Sequence, residues 1–350
     1  MARDPNDDQR RDRIRRQREG AIQMRIGEAD EGGIVAMIPL GHFLYTVKER
    51  AIYRFQEADR IDPERTNPDI PHVQQRVVTA GSESIIVSKT FLTGYKLLSP
   101  HYFNCGVDLL GTLQKTLDLA LLLLSAKEVA DALERDQTAA LAQRPQRFGN
   151  VANVPAVGHV VERANTFVQK MALAVQGVYD MVVAFYGVEA IEANKPRNVR
   201  GAYFDGFSNL IRTKIEPNDP MLEVIDSIVG FSKMVRNIRH CIEHQSDTQR
   251  LNVTDFSISP DGAILVPQFQ IVHPEIDPET TSMLGAFAQF VDTLAELSET
   301  TLALICGLEC VQEFAGAPIG VAAWPRRWHD MPHVQYGYVV EHNGDWTPLG

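Results

Sequence analysis

Apolar residues recur at three- and four-residue spacing over long stretches of the chain, and that period predicts helices over residues 82–98, 105–136, 157–186, 202–215 and 220–245. In the 157–186 stretch, Val160, Ala164, Phe167, Met171, Ala174 and Val178 fall on one stripe. The 220–245 stretch opens on Asp219-Pro220, an N-cap carboxylate followed by proline in the first turn, and its buried stripe is Ile225, Ile228, Val229, Ser232, Val235 and Ile238. A last helix is expected from Asp277-Pro278 onward. Its Met283, Phe287, Phe290, Leu294, Leu297, Leu304 and Leu308 stand at heptad-like spacing, with Thr301 filling the gap, which suits a bundle.

The pattern changes to strand-like in three places. Ile34–Leu40, His42–Val47 and Ala51–Phe55 are rich in β-branched and aromatic residues, and Pro39-Leu40-Gly41 breaks them. Residues 56–80, with Asp62-Pro63 and Asn67-Pro68, read as a loop. Residues 251–273 alternate on either side of Pro260-Asp261-Gly262 and read as a β-hairpin. The predicted fold is therefore mainly α: a helical bundle over 82–316 with an inserted hairpin at 251–273, so α+β overall. A small β-rich segment covers 33–81, and an aromatic, partly strand-like tail covers 317–350.

Residues 1–32 carry Arg10, Arg11, Arg13, Arg15, Arg16 and Arg18, and read as a disordered charged tail, with a nucleic-acid-touching arm as the sharper reading. The net charge of −11 excludes broad coating of nucleic acid but leaves room for a local phosphate site. The four cysteines are too sparse for a secreted disulfide framework, and the polar N-terminus holds no signal core. Leu117–Leu124, the richest apolar run, is too short to span a bilayer. These features together point to the cytoplasm and away from a membrane.

The densest chemistry lies in Arg236-Asn237-Ile238-Arg239-His240-Cys241-Ile242-Glu243-His244. Arg236, His240 and His244 stand at i, i+4 and i+8, on one helix face. That face combines a permanent cation with imidazoles that titrate near neutral pH, the equipment for handling phosphate.

Arg239-His240-Cys241-Ile242-Glu243-His244 also resembles the signature of the HEPN superfamily: arginine, a polar residue, three further residues and histidine, near the end of a long helix. The resemblance is tight over those six residues and loose, as a helix pattern, over 82–314. It implies a helical-bundle fold, a homodimer with two motifs facing one cleft, and metal-independent endoribonuclease chemistry of bacterial toxin or phage-defence type. Carried over, Arg239 holds the scissile phosphate, His244 acts as general acid or base around the ribose 2′-hydroxyl, and His240 orients the phosphate or its neighbour. Arg236 and Asn237, with Arg197 and Arg200 in the polar 191–201 loop, complete the substrate-binding set. The partners are then RNA, a second copy of the chain, and an antitoxin or other protein.

Three other readings of the same residues stand beside this one. Arg239 pairs with Glu243 at i+4 and the histidines line a helix C-terminus, where cations are favoured by the dipole. His240 and His244 join Cys306 and Cys310 in a zinc site, although both cysteines sit among apolar residues. Or the chain is a non-catalytic helical binding or assembly protein that keeps the fold. No Walker loop, dinucleotide fingerprint or nucleophile elbow is present, so no cofactor is expected.

Overall fold

The computed structural model describes residues 5–19, 26–104, 106–143, 146–148, 151–196, 203–276, 279–311, 313–314, 316–328, 331–342 and 344–349. Two units emerge, one of residues up to Ser88 with Pro325–Gln335, the other of Lys89–Trp324 with Tyr336–Gly350.

In the first unit, α1 (Pro5–Glu19) precedes β1 (Ile34–Leu40), β2 (Phe43–Lys48) and β3 (Ile52–Gln56). After α2 (Ala58–Ile61), β4 (Val73–Val78) completes an antiparallel sheet in the order β1-β2-β3-β4, and α3 (Ile85–Val87) follows. Alternation along these strands buries Ile38, Tyr45, Val47, Ile52 and Phe55.

Two expectations change here. Residues 56–80 are not a plain loop: β4 pairs along β3, and its mostly exposed Val-Gln-Gln-Arg run hid the strand period. Nor is the whole of 1–32 a disordered tail. Ile14 and Arg18 face inward from α1, and the Arg18 guanidinium donates to Asp59 at 2.5 Å, to Asp62 at 2.9 Å and to the Asn67 carbonyl at 2.8 Å. Backbone N–H groups at Asn67 and Thr66, then Arg18, hold the Asp62 carboxyl well below the usual carboxylate range. An arginine-rich run that looks uniformly solvated thus contains one buried anchor.

The second unit starts in a π-helical turn, Ser88–Leu92, and α4 (Thr93–Leu97). Next come α5 (Leu109–Leu141), a ribbon of β5 (Gln146–Phe148) and β6 (Val151–Asn153), and α6 (Val160–Tyr186). α5 and α6 run antiparallel, since Ser125 meets Lys170 and Asp136 meets Arg163. After α7 (Val188–Ala193) and α8 (Tyr203–Arg212), α9 (Met221–Glu243) packs across α6 and α8. The N-cap is Pro220, one residue later than expected, and Asp219 accepts the Met221 N–H at 2.8 Å from just outside the helix.

β7 (Arg250–Thr254), β8 (Ser257–Ile258), β9 (Ile264–Leu265), β10 (Gln268–Val272) and β11 (Thr280–Ser282) build the inserted β element. β10 pairs with β7 on one side and β11 on the other, while β8 and β9 form the tip of the hairpin. Asp255 accepts the N–H groups of Val157 and Gly158 at 3.1 and 3.2 Å, tying the hairpin to the entry of α6.

The final helix, α10 (Met283–Glu309), does not begin at Asp277-Pro278, two residues that lie outside the described set. Ser282 is its N-cap, accepting the Gly285 N–H at 3.2 Å, because residues 280–282 are taken up by β11. Phe287 of α10 stacks on Phe167 of α6 with ring centroids 3.7 Å apart, at the centre of the α5–α6–α9–α10 bundle.

β12 (Glu313–Phe314), β13 (Ala317–Ala323), β14 (Tyr336–His342) and β15 (Asp345–Pro348) form a further antiparallel sheet. It is fastened by Tyr338, whose hydroxyl donates to the Leu97 carbonyl at 2.7 Å. Trp324 donates Nε1–H to the Tyr338 carbonyl at 3.2 Å, and the Lys96 ammonium lies 3.9 Å from its ring centroid.

The mainly α expectation is therefore corrected. The described residues are about 52% helix and 22% strand, and their strands form several separate antiparallel sheets. The fold is mixed α+β. The strands expected at 34–40, 42–47, 51–55 and 251–273 are present as β1, β2, β3 and β7 to β10; β4, the β5–β6 ribbon, β11 and the extent of the C-terminal sheet add the strand content that the sequence did not reveal.

Within α5, an 18-residue window is long and apolar enough to cross a membrane by length and composition, a stretch wider than Leu117–Leu124 alone. Half of that window is buried against other elements, above all α6, as in the core helix of a bundle.

Candidate functional site

The last two turns of α9 divide its residues by chemistry. Ile238 and Cys241 face the core, and Asn237, only 5% exposed, turns with them. Its amide donates to Glu275 at 2.9 Å, so Asn237 clamps α9 to the turn after β10 and is not free on the substrate-binding face expected for it. Arg236 is half-buried, Arg239 exposed, His240 half-buried and His244 exposed. The cationic and imidazole face is open to solvent.

Helix termination positions the histidines. His244 is the C-cap, with φ −129° and ψ 59°, and its N–H donates to the His240 carbonyl at 2.8 Å. The two rings stand edge to face with centroids 5.8 Å apart.

Partial burial lowers the pKa of His240, and the nearby charge of Arg236 lowers it further. Its ring is consequently held neutral at neutral pH, able to accept a hydrogen bond. Removing a facing cation must move this pKa the other way. In Arg236→Gln, the His240 ring is expected to titrate at higher pH than in the unsubstituted chain, measured by NMR of its carbon-bound ring protons. An unchanged or lower midpoint would show that Arg236 does not act on the ring.

Arg239 is engaged differently. Its Nε–H donates to Glu243 at 2.7 Å, the i+4 pair expected of a helix surface. Because both side chains are substantially exposed, the pair is weak and exchanges readily for a stronger anion. Arg197 and Arg200 lie outside the described residues.

Neighbouring helices add residues that the sequence did not single out. Gln176 of α6, Asp205 of α8, and Ser232 and Lys233 of α9 line a cleft that also takes in Arg236 and Arg239. Lys233 pairs with Asp205 at 3.2 Å. Lys233 stands three residues before Arg236, so the shared helix face was a usable signal. Nothing local connects Asp205 or Gln176 to it.

The zinc alternative is not supported by the placement of its ligands. Cys306 is fully buried, Cys310 caps the end of α10, and His244 is in solvent. Among the described residues, no group of three or more His, Cys, Asp or Glu side chains is arranged to hold a metal ion. Burial pushes the Cys306 thiol well above its ordinary pKa.

Comparison with family models, with curated proteins and with solved structures finds no match to this chain.

Proposed function

We propose that the chain is a metal-independent endoribonuclease resembling the HEPN superfamily, of toxin or phage-defence type and acting in the cytoplasm. One observation carries the reading: His240 and His244 stand with ring centroids 5.8 Å apart on an open helix end that also presents Arg236 and Arg239. In the proposed reaction, Arg239 leaves Glu243 for the scissile phosphate, its planar fork matching two phosphate oxygens. His240, held neutral, orients the group. His244 takes the proton of the ribose 2′-hydroxyl as that oxygen attacks phosphorus. The bond from phosphorus to the 5′-oxygen then breaks, the 5′-oxygen takes a proton from water, and a 2′,3′-cyclic phosphate remains. Arginine offsets the charge that builds on the phosphorane oxygens.

The test is incubation of the full chain with RNA and with DNA of the same sequence, in EDTA. RNA is expected to be cut, leaving cyclic phosphate ends, while DNA, which lacks the nucleophile, survives. Cleavage that EDTA abolishes, or cleavage of DNA, would overturn this chemistry.

A single acidic chain carries little positive charge around this site, and two copies of the α9 end in one cleft would double it. A homodimer with the α9 ends at or beside its interface is therefore part of the proposal, in keeping with the commonest oligomer symmetry. Sedimentation at micromolar concentration is expected to give a dimer, and a strict monomer would count against the paired cleft. An antitoxin or other protein is proposed as a further partner that covers the same face.

The second reading is a non-catalytic binding or assembly protein, and the Arg239–Glu243 pair at 2.7 Å favours it. It predicts that Glu243→Gln, which releases the arginine, leaves the chain without activity on any RNA.

A further inference from the structure

The cleft beside the motif shares Arg236 and Arg239 with it and adds Lys233 from one turn earlier on α9. Three cations, Lys233, Arg236 and Arg239, follow at i, i+3 and i+6 along α9 and face it together. Among the described residues, the only acidic side chain in the lining is Asp205. Opposite the cations, Ala172 and Val175 of α6 and Phe204 of α8 supply an apolar wall, the last two almost fully buried.

Lys233 and Arg239 are exposed, so an anion can reach this edge of the cleft from solvent. The three cations rise about 9 Å along the helix axis at 1.5 Å per residue. Arg236 also links the two features, since it lies close enough to His240 to bias its charge.

We infer that the α6–α8–α9 cleft seats the RNA phosphate adjoining the scissile one, so that the strand runs along α9 from Lys233 to His244 with a sugar against the Val175 wall. This rests on the ribonuclease reading for the identity of the strand. The acid in the lining sets a limit on affinity: Asp205 holds Lys233 at 3.2 Å and competes with phosphate for it.

The experiment uses the full chain and an all-deoxy oligonucleotide, which cannot be cleaved through a 2′-hydroxyl, with binding followed by fluorescence anisotropy across a salt series. Lys233→Gln is expected to weaken binding about 10-fold and to flatten the plot of log affinity against log salt by about 0.7, one phosphate contact on a single strand. Asp205→Asn should shift affinity the other way, tightening it several-fold. Ala172→Trp, which fills the apolar side, should weaken binding without changing the salt slope. On RNA, Lys233→Gln should raise KM and leave kcat unchanged.

If Lys233→Gln and Asp205→Asn both leave affinity and salt slope unchanged while RNA is still cut, the cleft is not a phosphate seat, although the ribonuclease reading survives. If the deoxy strand binds with the predicted response but RNA is never cut, the seat stands and the ribonuclease reading falls.

Discussion

Replacing His244 by alanine is expected to abolish RNA cleavage, with a loss of about 10²–10⁴ in kcat, the usual contribution of a positioned acid or base. The chain should stay folded. His244 is exposed at the helix C-cap, and the backbone bond from its own N–H to the His240 carbonyl survives the substitution. Surface changes of this kind stay within about 0.5 kcal/mol. Arg239→Lys tests the other half of the site. Lysine keeps the charge but not the planar fork, so a loss on the order of 10² is expected, as for one donor to a transition-state oxyanion. A circular dichroism melt beside single-turnover cleavage separates these effects. Cleavage by His244→Ala at the unsubstituted rate would remove the histidine from the mechanism, whatever the melt shows.

Long helices were the legible part of the fold. The 3.6 period predicted 157–186 and 220–245, and α6 and α9 run Val160–Tyr186 and Met221–Glu243. Such helices announce themselves because each apolar stripe repeats over many turns within one local window. The sheets were legible in part: 34–40, 42–47, 51–55 and the 251–273 hairpin correspond to β1, β2, β3 and β7 to β10, whereas β4, the β5–β6 ribbon and β11 are short or lack a clear period of two. β4 is the clearest case: an edge strand with four exposed residues in sequence shows no alternation at all. Arg18 failed for a related reason, because a charge run does not mark which member is buried until Asp59 and Asp62 come round to meet it.

At the candidate site, local spacing was enough to group Arg236, His240 and His244 on one face, and enough to pair Arg239 with Glu243. It was not enough for Asn237. One residue along a helix turns the side chain by about 100°, and the partner that engages it, Glu275, belongs to another element. The cleft was illegible for the same reason. Its lining is drawn from three helices separated in sequence, and only packing brings Phe204 and Val175 opposite Lys233.

The largest expected loss of stability comes from a pair with no local signal, Lys89 and Glu299. Glu299, in the middle of α10, is completely buried, and Lys89, in the π-helical turn, is 4% exposed. The ammonium lies 3.0 Å from the Glu299 carboxylate and 2.5 Å from that of Glu296, and Thr93 donates its hydroxyl to Glu299 at 3.2 Å. Burial alone would lower the Lys89 pKa, but the two carboxylates outweigh it and raise the value. A raised lysine contributes its stability below its unfolded pKa, so the pair holds throughout the neutral range and fails only as pH rises into the strongly alkaline region.

Lys89→Met removes the cation and leaves the carboxylate stranded, which costs about 3–5 kcal/mol for a broken buried pair. The Lys89→Met, Glu299→Gln double substitution should recover much of that loss, because a neutral amide can keep the Thr93 hydroxyl without a buried charge. The pH dependence of the single variant follows from its stranded acid. Burial favours the protonated carboxyl once the cation is gone, so the penalty should be smallest in acid and grow as pH rises above the ordinary glutamate range. Urea unfolding at several pH values measures all three. A Lys89→Met chain as stable as the unsubstituted one at neutral pH would mean that water or a rearranged Glu296 side chain reaches Glu299, and that the interior of α10 is less closed than its packing indicates.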